Sequence, residues 1–93
     1  MHVFSAEFHL RLQSRTLKEK RGIVKSILSR ARNNFNVAAA EVDYQDLPGS
    51  ALLGFVTVGE DRRLARRTLE MLEERVVEER PDLELVQVSI EER

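Results

Sequence analysis

TLKEKRGIVKSILSRARNNFNVAAAEV, residues 16–42, carries one complete helix signal followed directly by a strand signal. Thr16 and Glu19 have the spacing of a capping box, in which a hydroxyl and a carboxylate satisfy orphan amides of the first turn. Leu17, Val24, Ile27, Leu28 and Ala31, with Ile23 at the margin, then recur at helical spacing and form one apolar stripe. Lys18, Arg21, Lys25 and Arg32 share a flank, and Gly22, Ser26, Ser29 and Asn33 lie opposite the core. Asn33 and Asn34 are a plausible stop, because asparagine tolerates the left-handed conformation of a helix end. From Phe35 to Val42 the chain turns extended, so the stretch predicts a helix running straight into a strand.

The flanking sequence completes the pattern. Phe4, Ala6, Phe8, Leu10 and Leu12 alternate with Ser5, Glu7, His9 and Arg11, which predicts a half-buried strand over residues 2–12. A second strand is expected over Asn36–Tyr44, a turn around Pro48-Gly49, and a third strand over Leu52–Val58. That third strand is apolar on both faces, with Leu52, Val56 and Val58 on one and Leu53 and Phe55 on the other. Asp61 is a candidate N-cap for a second helix with the core stripe Ala65, Leu69, Leu72 and Val76, which Pro81 stops. The last strand, Leu83–Ile90, changes phase between Leu85 and Val86, as a bulge would. Two βαβ units joined by a short turn predict a single α+β domain over residues 1–93. Its expected form is a βαββαβ ferredoxin-like fold, a four-stranded antiparallel sheet with two antiparallel helices on one face.

Leu17-Lys18-Glu19-Lys20-Arg21, Lys25-Ser26-Ile27, Phe35-Asn36-Val37 and Ala40-Glu41-Val42 together resemble the signature of the YlxP-like family, small bacterial proteins of unassigned function. The resemblance spans nearly the whole chain. It implies the same ferredoxin-like fold and a loose association with translation or ribosome maturation.

Composition narrows the chemistry. The net charge of −1 gives no bulk attraction to nucleic acid or to an anionic membrane, although 12 of the 15 basic residues are arginine. The absence of cysteine excludes disulfides, thiolate metal sites and cysteine nucleophiles. No apolar run reaches the roughly 20 residues of a membrane span, and no signal peptide is evident, so a cytoplasmic protein without a membrane partner is expected. High charge with no cysteine and few amides is compatible with a thermophilic source. Glu7 and His9 share a strand face and Glu41 and Asp43 another, but neither pair has the further ligands of a metal centre or the partners of a catalytic one. No phosphate-binding glycine loop or nucleophile elbow occurs. The expectation is a non-enzymatic binding protein without cofactor or metal.

Charge is arranged unusually on the second helix. Arg62, Arg63, Arg66 and Arg67 crowd its first two turns and acids fill the rest, against the macrodipole. With antiparallel helices, Lys18, Lys20 and Arg21 would face Glu74, Glu78 and Glu79, while Arg30 and Arg32 would join the four arginines. A solvated surface partly neutralised by Glu70 explains such a run. So does a site for structured RNA or a ribosomal particle made of Arg30, Arg32, Arg62, Arg63, Arg66 and Arg67, or an acidic protein partner. Base stacking on the open sheet face needs exposed aromatics, and only Phe55 is a candidate. The second apolar face of strand three, with Val3 beside it and either Phe55 or Val56 pointing outward, predicts a homodimer through the sheet.

Overall fold

A computed structural model describes residues 1–93. The elements follow in the order β1 (His2–Arg11), α1 (Leu17–Asn34), β2 (Ala38–Asp43), β3 (Ser50–Gly59), α2 (Arg62–Glu79) and β4 (Glu84–Glu92). The strands form one antiparallel sheet in the order β2-β3-β1-β4, with the helices on one face, the ferredoxin-like α+β arrangement. β1 forms because its alternation is complete. Phe4, Ala6, Phe8 and Leu10 all turn inward and are buried, and Leu12 just beyond it joins them. They meet Val24, Ile27, Leu28 and Ala31 of α1 and Ala65, Leu69, Leu72 and Val76 of α2 in one core.

Local chemistry fixes the element ends. The Thr16 hydroxyl accepts the Glu19 amide at 3.1 Å and donates to the Glu19 carboxylate at 3.2 Å, so the carboxylate engages the hydroxyl and not the Thr16 amide. Asp61 caps α2 by accepting the amides of Arg63 and Leu64 at 2.9 and 3.1 Å. α1 does not end on a left-handed asparagine. Phe35 is already extended at φ −134°, and its amide closes the helix on the Ala31 carbonyl. The one left-handed residue is Tyr44, at φ 64°, where the Asp43 carboxylate accepts its amide at 2.7 Å and β2 turns toward β3. β4 carries the expected bulge: Gln87 pairs with His9 and Leu85 with Leu10, leaving Val86 between them.

β3 resolves its two apolar faces. Ala51, Leu53, Phe55 and Thr57 point to the helices, while Leu52, Gly54, Val56 and Val58 point away. Thr57, not an aliphatic residue, takes an inward place because its hydroxyl donates to the Asn36 carbonyl at 2.6 Å. Gly54 sits where Val42 leans across the open face, and a Cβ there would come within 2.9 Å of Val42 Cγ1.

The helices run antiparallel but are not zipped by charge as the sequence suggests. Ser26, Ile27, Arg30, Ala31, Asn34 and Phe35 of the last part of α1 line one crevice with Leu72, Arg75, Val76 and Glu79 of the last part of α2. Lys18 and Arg21 make no ion pair with Glu74, Glu78 or Glu79. Lys20 is committed to β2 instead. It is fully buried, donates to the Tyr44 carbonyl, and places Nζ 2.9 Å from Glu41 Oε2, which draws the first turns of α1 to β2 at the sheet's edge. That Glu41 oxygen has the distance of an ion pair without the alignment of a hydrogen bond. Two further side chains serve β2 from outside the sheet: Arg32 donates to the Ala39 carbonyl at 2.8 Å and Gln45 to the Glu41 carbonyl at 3.5 Å.

Candidate binding surface

The six arginines expected to form one cluster do not come together. Arg30 bonds Glu79 at 3.1 Å. Glu79 lies 12 to 17 residues along α2 from Arg67 and Arg62, about 18–26 Å at helical rise. Arg32 is held on β2 by the Ala39 carbonyl. Arg62, Arg63, Arg66 and Arg67 do share the first two turns of α2, but three of them are paired. Arg62 donates to Glu92 at 2.7 Å, Arg66 lies 3.5 Å from Glu70, and Arg67 lies 3.7 Å from Glu70 and 3.1 Å from Glu74. Arg63 enters no ion pair; an open hollow beside it is lined by Asp61, Leu64, Arg66, Arg67 and Glu70. The Arg62 hydrogen bond, reinforced by His2, outweighs desolvation and holds the Glu92 carboxyl below its usual range.

Exposed pairs of this kind contribute little to stability, so they neutralise the surface without locking it. The cap partly offsets the adverse charge order, because Asp61 sets one acid at the N-terminal end of α2.

On the sheet, Phe55 is not an interface residue. It is 1% exposed, and its ring packs 4.9 Å from that of Phe8 in the core. Inward pointing is forced by register, since Phe55 pairs with Ala6, itself buried on the helix side. Val56 is 44% exposed on the open face, beside Val58 and opposite Ser5, and Val3 lies across from Val58. With Ala38, Ala40, Val42 and Gly54 they make an apolar half-face on the β2–β3 side, bordered by Ser5, Glu7 and Arg93. Phe4, Phe8 and Phe55 are all buried, so no phenylalanine platform for stacking bases lies on that face.

The remaining candidates separate. The His9 ring lies against Tyr44, 5.2 Å between centroids, and Glu41 turns inward to Lys20 while Asp43 accepts the Tyr44 amide. No group of three or more histidine or acidic residues is placed to hold a metal ion. No helix is long and apolar enough to cross a membrane.

Three features escaped the sequence reading: the buried Lys20, Arg75 lying 5.5 Å over the Phe35 ring, and Leu64 and Met71 exposed beside the arginines. The first was signalled. Lys20 stands four residues before Val24 and seven before Ile27, on the apolar stripe itself.

Comparison with known proteins adds kinship without an activity. The chain is 38% identical over 55 residues to the uncharacterized protein YlxP of Bacillus subtilis (strain 168), a match covering 59% of this chain and 60% of that protein's length. Residues 3–90 match the model of a family described as protein of unknown function (DUF503), and the chain belongs to that family.

Proposed function

We propose that the chain is a non-enzymatic binding domain whose working surface is the first half of α2, where Arg62, Arg63, Arg66 and Arg67 meet an anionic partner. The observation that carries this reading is the massing of four arginines at the end of the helix where the dipole disfavours cations. Arg63 adds a guanidinium with no carboxylate of its own. Arg30 and Arg32 are not part of the surface, since Arg30 meets Glu79 at the far end of α2 and Arg32 bonds the Ala39 carbonyl on β2.

The experiment is capture of partners from a bacterial lysate on the immobilised full chain, with and without nuclease, beside a variant with Arg63, Arg66 and Arg67 changed to Gln. RNA, free or in a ribosomal particle, would be lost on nuclease treatment, and an acidic protein would survive it. For RNA the variant should also lower the slope of log affinity against log salt by roughly two to three units, since each lost phosphate contact is worth near 0.7–0.9. Equal capture by the parent chain and the variant would remove the arginines from the function.

A second reading concerns self-association, favoured by the exposed Val42, Val56 and Val58 on one side of the sheet. It makes the chain a homodimer through Val3 and Val56 of the open face. Sedimentation at micromolar concentration should then give twice the chain mass, falling to the monomer in Val56→Asp. A parent chain that sediments as a monomer would reject this assembly.

A further inference from the structure

The arginines of α2 do not stand alone on their helix. Leu64 is 67% exposed, more than any other large apolar side chain except Met1, and Met71 is 44% exposed. Two turns separate them, so they lie on one line along the helix. Thr68 stands between them with its hydroxyl donated to the Leu64 carbonyl at 3.0 Å. Arg67 is three residues after Leu64 and four before Met71, and Arg63 is four before Arg67, so a cationic row borders the apolar line. On the other border Arg75, four residues after Met71, lies over the Phe35 ring and enters no ion pair. The line is uncovered because it lies off the buried stripe of Ala65, Leu69, Leu72 and Val76 that faces the core.

This pattern separates two anionic partners. A nucleic-acid backbone is met by basic and polar groups and has no use for exposed leucine or methionine, and α2 has no aromatic on which bases would stack. Leucine and methionine set between guanidinium groups instead match a helix with apolar residues at helical spacing and carboxylates beside them. Resting on the reading of α2 as the working surface, we infer that its exposed line from Arg63 to Arg75 is a docking strip for an acidic amphipathic helix of a protein partner. Leu64 and Met71 are its apolar anchors, and Arg63, Arg67 and Arg75 meet the carboxylates. Methionine suits such a surface because its unbranched side chain adapts to the helix it meets. Glu74, which now neutralises Arg67, is exposed, so a partner's carboxylate replaces it at small cost.

The test titrates the isotope-labelled full chain, observed by amide NMR, with three probes. One is an acidic helical peptide bearing leucines along one face and glutamates on either side. The second is the same composition in scrambled order, and the third is a structured RNA. The amphipathic peptide should shift amides of residues 63–75, and the scrambled peptide should not. Joint Leu64→Ser and Met71→Ser should weaken peptide binding by about tenfold or more while leaving the thermal melt unchanged, because both side chains are exposed. Arg63→Gln with Arg67→Gln should weaken it too. Equal response to both peptides, or binding that survives the serine changes, overturns the strip. If RNA alone shifts these amides, and does so in the serine variant as well, the strip falls and the arginine surface stands. If no probe moves residues 62–67, both readings fall.

Discussion

Lys20→Ala should destabilise the fold by about 3–5 kcal/mol, the range for removing one partner of a buried ion pair. The ammonium of Lys20 is withdrawn from water and answered by the Glu41 carboxylate and the Tyr44 carbonyl. Alanine would leave Glu41, whose side chain is 17% exposed, facing an apolar surface without its cation. It would also release the turn after β2, since Lys20 ties the left-handed Tyr44 to α1. The double change Lys20→Met with Glu41→Leu should recover most of the loss, because well-packed apolar replacements of buried pairs are often neutral or better. Urea unfolding of the single and double variants checks both statements. A loss of only about 1 kcal/mol or less for Lys20→Ala would assign the pair the energetics of a surface bridge.

Phe55→Ala is the second large effect, about 3–5 kcal/mol, as for other buried phenylalanines. The ring is enclosed between sheet and helices and tilted 51° against Phe8, so truncation leaves a cavity that the strands cannot close. The neighbouring Val56→Ser, on the opposite face of the same strand, should stay within roughly 0.5 kcal/mol as an exposed substitution. Denaturant midpoints with unchanged slopes would measure the contrast. Equal effects at the two positions would contradict the face assignment of β3.

Much of this architecture is legible in residue spacing. The run Phe4, Ala6, Phe8, Leu10 has one interpretation, because only a strand places all four on one side. Ala65, Leu69, Leu72 and Val76 have only a helical one, and Asp61 announces the start. The phase change at Val86 is a bulge because one residue too many lies between two paired ones. β3 could not be oriented this way. Both its faces are apolar, and the residue that breaks the tie, Thr57, is polar and points inward to a carbonyl supplied by Asn36, 21 positions away. Arg30 was misplaced for a related reason. Its partner depends on the stagger of the two helices across one another, which neither helix's own pattern states.

β2 lies at the margin of the sheet, where unpaired backbone groups are open to another chain. Its Ala38-Ala39-Ala40 segment is small and uncharged, so no bulky or charged side chain of its own stands in the way of a further strand. Several details already described act against that outcome. The guanidinium of Arg32 and the amide of Gln45 occupy the carbonyls of Ala39 and Glu41, two positions that face the same way along the strand. The irregularity between Glu41 and Asp43 interrupts the ladder after four regular pairs. Glu41 itself cannot shift its register by one residue without carrying a carboxylate away from Lys20. An incoming strand must therefore displace two side chains and meet an interrupted ladder. The margin of the sheet is thus guarded by single side chains, one reaching down from α1 and one from the turn after β2, rather than by a covering element.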